Sequence, residues 1–414
     1  MDKIYFGNND TLFDITEKYP ETIPVFVSKG FPQIGEEEKR EKFGSSVTLK
    51  NALFFKKLNI ETFSEHLIDA IEQKLKKDIL EPGSKIDKSK IDTLKIEGLL
   101  PCPVRIPLTE SLENFIEKYK QENNYEIQYE LKAASMGLDW LKEILEEEDD
   151  EKNLSDLFIS AGFDLFFDKK LMGKFKKRGV FKDFTGFKEL NSIFDNSSID
   201  LKDPKGHYSM ISVVPAVFLV NKNELNGRKM PESWEDILKP EFEKSVSLPV
   251  GDFDLFNAIL LNIYKEYGEA AVAQLGKSLL EELHPSQMVK SDKKKINRPA
   301  VTIMPYFFTK MTKGVGPMVA VWPKDGSIIS PIFMLSKTEK QEKLKPLVDF
   351  FASEEVGEIL SHRGLFPSTN PGIDNRIPDE NKFMWLGWDF IYSNDIADIL
   401  SKCENIFNNS AGEG

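Results

Sequence analysis

The residues that most often carry catalysis or bind metals are few in this sequence and lie far apart. The four histidines, His66, His207, His284 and His362, are scattered, and no two have the spacing of metal ligands on one helix. The sequence contains no G-x-S-x-G elbow, phosphate-binding loop, H-E-x-x-H motif or dinucleotide fingerprint. The 68 acidic residues guarantee chance pairs of carboxylates, mostly on solvated helix faces. The sequence therefore predicts neither a catalytic centre nor a cofactor.

The two cysteines, Cys102 and Cys403, are equally uninformative about chemistry. They fit neither a disulfide framework nor a multi-cysteine zinc site, and they leave either one bridge or two free thiols. Cys102 ends the predicted strand "LLPCPV" and is the first candidate for a reactive group if the protein is an enzyme. The alternative is a buried structural thiol.

Size and charge exclude several classes of protein. A chain of 414 residues with 40% hydrophobic residues predicts two or three globular domains. A net charge of −13 argues against sequence-independent binding to nucleic acid or to an anionic membrane. The most apolar run, Met210 to Val220, has 11 residues, whereas a membrane span needs about 20.

The first twenty residues contain no apolar core or cleavage site of the kind that an export signal needs. If Met1 is the true start, we expect a cytoplasmic protein. If a leader is missing or unconventional, the protein is extracytoplasmic.

Composition divides the chain into three regions. Residues 1–75 are expected to form an all-α bundle, in which one helix runs from Asp14 to Lys29 and ends at Gly30. Residues 76–96 are charged, contain a Pro-Gly pair and indicate a linker. From Glu97 strands and helices alternate, which predicts βαβ units and a mainly parallel sheet.

Two long apolar runs, Met210 to Val220 and Met318 to Ser336, bracket one set of strands and helices. They indicate that the chain leaves one lobe, builds a second and returns, so that the runs form a two-strand hinge with Pro215 near its bend. A cleft between lobes is a preferred ligand site. The predicted lobes are 97–212 with 325–414, and 213–324.

Five segments of the main domain resemble, in family order, the type II solute-binding proteins of ABC importers, in the branch that includes ferric-ion and polyamine binders. The segments are "VVPAVFLVNKNEL", "PESWEDILKPEFEKSVSLP", "WPKDGSIISPIFMLSK", "LKPLVDFFASEEVGEIL" and "GLFPSTNPGID". The resemblance covers about residues 97–400. It implies an α/β, periplasmic-binding-protein-like fold of two lobes, which captures a small polar solute or ion by closure and delivers it to an ABC permease. The alternatives are a cytoplasmic sensor or carrier on the same fold, an enzyme that uses Cys102, and an interaction module with an empty cleft.

Residues 1–75 are similar to a small helical domain of unknown role, which also heads di-iron proteins that repair iron-sulfur clusters. In those proteins a cysteine follows a pattern like "VFVSKGF", whereas here Phe31 is followed by "PQIGEEE". A metal or redox role is therefore not carried over, and we expect the bundle to dock a partner protein.

The predicted ligand site follows from the rule that ligands bind beyond the carboxyl ends of strands in open α/β sheets. Thr109 is expected to cap a helix after the loop "RIPLTES", and Asp252 or Asp254 either caps the next lobe's helix or contacts the ligand. The predicted ligand-binding residues are Arg105, Thr109, Ser111, Ser135, Met136, Ser160, Gly162, Gly251, Asp252, Phe253, Tyr306 and Trp322.

The resemblance also bears on iron. Ferric-binding relatives often use paired tyrosines, and here Tyr306 is followed by Phe307 and Phe308, so that one of the pair is missing. No metal site is predicted, and Tyr306 would be the ligand if a metal is bound. Trp322 is expected either to wall the cleft or to pack in the core.

Overall fold

The structure is a computed structural model of the 414-residue chain. The residues it describes are 5–28, 31–56, 60, 63–64, 67–68, 70–71, 92–122, 125–133, 141–142, 145–146, 149–163, 165–250, 253–282, 298–311 and 316–412. The chain divides into two compact units, Met1–Lys90 with Ser135–Glu143, and Ile91–Ala134 with Ile144–Gly414. None of the helices in these ranges is both long and apolar enough to cross a lipid bilayer.

The first unit is helical, as the sequence predicts. The helices with described bounds include α1 (Leu12–Lys18), α2 (Ile23–Ser28), α3 (Glu37–Gly44) and α4 (Leu49–Phe55). Threonine caps begin two of them, because the Thr11 hydroxyl accepts from the Asp14 N–H at 3.0 Å and Thr48 does the same for Asn51 at 3.4 Å. The buried apolar core includes Leu12, Ile15, Val25, Phe26, Phe31, Ile34, Leu49 and Leu53.

The predicted helix from Asp14 to Lys29 is wrong, because the chain breaks at Tyr19. There the backbone leaves the helical region (φ −135°, ψ 76°), and Pro20 begins a separate 3-10 turn, Pro20–Thr22. Proline has no N–H to continue the ladder of α1, and it disfavours a helical residue before it. The predicted end at Lys29 and Gly30 lies outside the described residues.

The second unit contains a ten-stranded sheet in its described part. The strands are β1 (Asp92–Leu100), β2 (Tyr125–Ala133), β3 (Leu157–Ala161), β4 (Ser209–Asn221), β5 (Val246–Leu248), β6 (Leu279–Glu282), β7 (Val301–Pro305), β8 (Met318–Val321), β9 (Ser327–Ser336) and β10 (Phe383–Met384). The order is β2-β1-β3-β9-β4-β7-β5-β6, with β8 beside β4 and β10 beside β9. Strand β1 begins at Asp92, inside the region 76–96 that was predicted to be a linker.

The sheet is mixed rather than mainly parallel. Strands β1, β2 and β3 are parallel to one another, and so are β5, β6 and β7. The central strands β4 and β9 are antiparallel to each other and to their outer neighbours β7 and β3. The reason is that β4 carries the chain from the half that contains β1–β3 to the half that contains β5–β7, and β9 carries it back.

Strands β4 and β9 lie side by side at the centre of the sheet. Their ladder runs from the pair Ser209–Met334 to the pair Pro215–Ile329. Beyond Pro215, β4 pairs with β7 and β8, whereas the first residues of β9 pair with β10. The two predicted hinge strands are therefore adjacent, and their change of partners falls at Pro215.

The second apolar run is not one strand. Met318–Val321 forms β8 and Ser327–Ser336 forms β9, with a turn between them in which the Gly326 N–H donates to Pro323 O at 3.0 Å. Gly326 has φ +113°, a conformation that glycine adopts without strain. The predicted strand from Met318 to Ser336 is corrected to these two strands.

The helix after β1 is α5, Cys102–Glu122. It corrects the predicted loop "RIPLTES" and the predicted cap at Thr109, because both lie inside the helix. Pro107 removes one helical N–H donor without ending α5. Packing of one apolar face against the core outweighs that loss. The buried residues at every fourth position are Val104, Leu108, Leu112 and Ile116.

Eight further helices are described in full or in part among the residues of the second unit that the structure describes. They are α6 (Gly173–Lys177), α7 (Trp234–Ile237), α8 (Phe253–Tyr267), α9 (Glu269–Ser278), α10 (Gln341–Phe351), α11 (Glu354–Glu358), α12 (Trp388–Ser393) and α13 (Ile396–Gly412). Gly268, at φ +80°, separates α8 from α9.

The C-terminal helix α13 packs on α8 and α9. The Phe407 ring meets Phe256 edge to face, with centroids 5.0 Å apart, and Lys402 pairs with Glu269 at 2.6 Å. Residues 396–412 thus contact the helices of the predicted second lobe, although the sequence analysis places 325–414 with the first.

Candidate ligand-binding site

The end of β3 and the start of α8 meet at Gly162 and Asp254. Gly162 has φ +94°, and its N–H donates to Pro331 O at 2.8 Å. A Cβ at residue 162 would lie 2.6 Å from Asp254 Cα and 2.7 Å from Asp254 Cβ. Both the backbone conformation and the space therefore require glycine here. Ser160, two positions before Gly162, is fully buried within β3 and does not reach the surface.

Two further hydrogen bonds fix α8 at this junction. The Ser330 hydroxyl of β9 donates to the backbone carbonyl of Asp254 at 2.9 Å, and Asn257 Nδ2 donates to Phe163 O at 3.2 Å. Asp254 and Asn257 are three positions apart, on the same face of α8. The helix of one predicted lobe is thus bonded to the strand end of the other.

The junction also contains buried polar atoms with no hydrogen-bond partner among the described residues. They include Asp254 Oδ1, Asn257 Oδ1 and Trp385 Nε1, and these side chains belong to residues that are 9%, 7% and 8% exposed. Trp385 stacks on Phe163, with ring centroids 5.5 Å apart. Phe163 therefore contacts both α8 and the C-terminal segment.

Aromatic rings lie beyond the carboxyl ends of strands in the other half of the sheet. Tyr306 follows β7, the parallel neighbour of β5, so the loops after these two strands lie at one edge. The Tyr306 and Trp322 rings meet edge to face at 5.2 Å. Trp322 is held in place because its Nε1 donates to Lys382 O at 2.7 Å and its ring packs on Phe383. The structure therefore brings Tyr306 and Trp322, both predicted from the sequence, into contact with each other. Both side chains remain partly exposed.

The predicted residues on α5 lie within a helix instead of a loop. Arg105 and Thr109 are half-buried in α5, and the Ser111 hydroxyl donates to Glu355 Oε1 of α11 at 2.5 Å. Ser111 therefore ties two helices together. Cys102 is the first residue of α5, and its side chain lies outside the described residues.

Four predicted residues, Ser135, Met136, Gly251 and Asp252, lie outside the described residues, and of Phe253 only the backbone is described, as the first residue of α8. Sequence reasoning named Asp254 only as a possible cap or contact. It missed Asn257, which a search for polar residues three positions on from Asp254 would have found. It also missed Trp385, for which no local pattern exists.

A half-buried lysine, Lys176, contacts aromatic residues that pack on the junction. Lys176 Nζ donates to Phe166 O at 2.7 Å and to the Tyr208 hydroxyl. Burial lowers the pKa of Lys176 to about 7, against the opposing influence of Asp203 and Asp168. The Tyr208 ring stacks on Phe167, which in turn packs on Phe163. A proton at Lys176 is therefore taken up or lost near neutral pH within this cluster.

The fold and the paired central strands define a two-lobed, periplasmic-binding-protein-like protein of type II, as the resemblance implied. A family model described as Bacterial extracellular solute-binding protein matches residues 152–394, more than half of the chain. The chain belongs to this family. Its members are solute-binding proteins and not enzymes.

Solved structures agree on the fold. The ferric binding protein from Campylobacter jejuni is 13% identical and covers 77% of this chain and 99% of its own, with a TM-score of 0.52. The periplasmic binding protein AfuA from Actinobacillus pleuropneumoniae, with exogenous fructose-6-phosphate bound, has the same identity, coverage and TM-score. Iron-bound HitA from Pseudomonas aeruginosa is 10% identical, with the same coverage and a TM-score of 0.52. Identities this low show the fold alone.

The first unit has its own match. Residues 8–63 correspond to a family model described as a domain of unknown function. No curated protein matches the chain. The docking role expected for residues 1–75 stays a prediction.

Proposed function

We propose that the second unit captures a small polar solute or ion between two lobes that close about β4 and β9. The observation that carries this proposal is the antiparallel ladder of β4 and β9, which ends at Pro215 where each strand takes new partners. Two adjacent strands can change their φ and ψ angles together while the ladders on either side stay intact. This is the arrangement that hinge closure requires.

Contacts between the proposed lobes support a closing motion. The bonds from Asn257 to Phe163 O, from Ser330 to Asp254 O and from Trp322 to Lys382 O join residues of 213–324 to residues of the other lobe. Opening that separates these residues must break all three. A solute shifts the balance toward the closed form only by as much as it binds that form better than the open one.

We place the solute between the end of β3 and the loops after β5 and β7. Gly162 lets the start of α8 pack against the end of β3. Tyr306 and Trp322 form an aromatic wall, and Asp254 and Asn257 offer oxygen acceptors. Arg105, Thr109, Ser135, Met136, Gly251, Asp252 and Phe253 remain further candidates for contact. Ser111 and Ser160 are assigned structural roles, because both are buried within an element.

The proposed physiological role is that of a receptor for an ABC importer. The support is the family, whose description places its members outside the cell. Cell fractionation of the native organism tests this role, because an importer receptor must meet its solute outside the membrane. Recovery solely from the cytosol would contradict import and would leave a cytoplasmic sensor or carrier.

Capture itself is tested by native mass spectrometry of protein purified without added solute, followed by small-angle X-ray scattering. We expect one retained small molecule per chain and a smaller radius of gyration when it is bound. The matched variant Cys102→Ser should keep this binding, because the proposal gives the thiol no role. A bound molecule that leaves the radius of gyration unchanged would contradict closure.

A further inference from the structure

We infer, on the basis of the proposed function, that the captured solute is a small zwitterion of the amino-acid type. Its protonated amine would bind the oxygen atoms of Asp254 and Asn257. Its acceptor group, such as a carboxylate, would bind the indole N–H of Trp385. The inference comes from the matching donors and acceptors that are left without partners in the junction.

The acceptor half of the site is a buried carboxylate with no counter-ion among the described residues. Asp254 is 9% exposed, and among the described residues no cation pairs with it and Oδ1 accepts no hydrogen bond. Its position in the first turn of α8 gives it partial stabilisation from the helix dipole. A buried carboxylate nevertheless needs a charged or hydrogen-bonded partner. A protonated amine supplies both.

Asn257 adds a second acceptor to the first. Its Nδ2 is occupied by Phe163 O, which fixes the amide so that Oδ1 is the free end. An ammonium group carries three N–H donors. Two of them can be accepted by Asp254 Oδ1 and Asn257 Oδ1, which lie on one face of α8.

The donor half consists of indole N–H groups. Trp385 and Trp388 are 8% and 6% exposed, and neither Nε1 has an acceptor within the described part of the chain. Their rings meet edge to face, with centroids 5.8 Å apart. An indole nitrogen only donates, so an acceptor must come from outside these residues. A ligand carboxylate would provide it.

Phe163 joins the two halves, because its carbonyl accepts from Asn257 and its ring stacks on Trp385. A hard metal ion prefers several carboxylate and carbonyl oxygens, whereas the described acceptors are one carboxylate and one amide. A phosphate ester would be repelled by Asp254. The charges thus favour a molecule that presents its cationic end to α8.

The experiment measures binding by calorimetry and thermal unfolding with four probes: the common amino acids tested singly, 1,4-diaminobutane, fructose 6-phosphate and ferric citrate. We expect at least one amino acid to bind and the other three probes to fail. Asp254→Asn should weaken that binding about 10- to 100-fold, because it removes a charged hydrogen-bond partner. Trp385→Phe should weaken it about 3- to 10-fold, because it removes a neutral one. The matched control Asp379→Asn, at an exposed site, should change nothing.

Other results overturn the inference in distinguishable ways. Binding of the diamine but no amino acid would refute the donor half, and binding of fructose 6-phosphate or ferric citrate would refute the zwitterion while leaving capture by closure intact. Equal affinity of Asp254→Asn and the parent protein would refute the assigned acceptor. If no probe binds, water fills the junction and the inference fails. The mass of the retained solute and the scattering data then decide separately whether the protein captures anything.

Discussion

Gly162 and Asp254 approach each other so closely that residue 162 has no room for a side chain. A Cβ on Gly162 would lie 2.6 Å from Asp254 Cα, and the backbone there has φ +94°. The contact joins the end of β3 to the start of α8, and so joins the two proposed lobes. The geometry of the candidate site therefore depends on one missing methyl group.

The first prediction concerns this contact. Gly162→Ala should lower the free energy of unfolding by about 2 to 4 kcal/mol, because the left-handed backbone and the overlap with Asp254 both oppose a side chain. Urea denaturation measures the loss. Gly186→Ala is the matched control, since Gly186 has φ +76° but no atom within 4 Å of the added Cβ. It should lose only about 1 kcal/mol. Equal losses in the two variants would show that the close approach has no energetic weight.

The second prediction concerns Pro107 in the interior of α5. Pro107→Ala should raise the free energy of unfolding by about 1 to 3 kcal/mol, because alanine restores a helical N–H donor and removes a clash. Chemical denaturation is again the measurement. Pro103 is the second residue of the same helix, where the N–H has no helical partner, so Pro103→Ala should change stability by less than about 1 kcal/mol. A loss of stability in Pro107→Ala would contradict this account of the helix.

The third prediction concerns the pH dependence that Lys176 confers. Burial lowers the pKa of Lys176 from 10.5 in its ordinary state to about 7 in the folded chain. Between pH 7 and about 10 the unfolded chain therefore holds a proton that the folded chain has released, and stability rises with pH in this range. Lys176→Met should remove that rise, as measured by denaturation at several pH values. Lys177→Met, which alters the exposed neighbour, should retain it. If the free energy of unfolding rises equally with pH in both variants, a group other than Lys176 causes the rise.

The fourth prediction concerns the thiol of Cys403. Cys403 is fully buried in α13, and burial raises the pKa of its thiol to about 12. Because the thiolate is the reactive form, the Cys102→Ser variant should not react with an aromatic disulfide reagent at pH 8 until it is denatured. The absorbance of the released thiolate follows the reaction. Rapid labelling of the folded variant would show that α13 does not stay packed on α8 and α9.

The sequence predicted elements best where the pattern was uniform. Every residue of β4 is buried, and its sequence is accordingly a nearly continuous apolar run, which is the pattern that predicts a strand covered on both faces. Helix α5 was predicted poorly, because local rules treat Pro107 as a break whereas distant packing keeps the helix intact. At Pro20 the local rule was correct, because this proline does end helix α1 and begins a separate turn.

The candidate site was only partly predictable, because its contacts join residues far apart in the chain. Asn257 and Phe163 are 94 positions apart, and no local pattern relates them. Tyr306 was predicted because it ends the strand that closes the second lobe, and Trp322 because it lies on the predicted return strand of the hinge. The pairing of Trp385 with Phe163 is set by the fold of the C-terminal segment alone.

Closure about β4 and β9 is tested most directly by a distance measurement between the proposed lobes. Spin labels on Glu235 of α7 and Glu342 of α10, both exposed, would report this distance by pulsed electron resonance in a protein with Cys102 and Cys403 replaced by serine. The solute would be removed by unfolding and refolding and then returned as the compound found by mass spectrometry. We predict that the distance distribution moves to shorter values when the solute binds. An identical distribution with and without stoichiometric solute would contradict hinge closure.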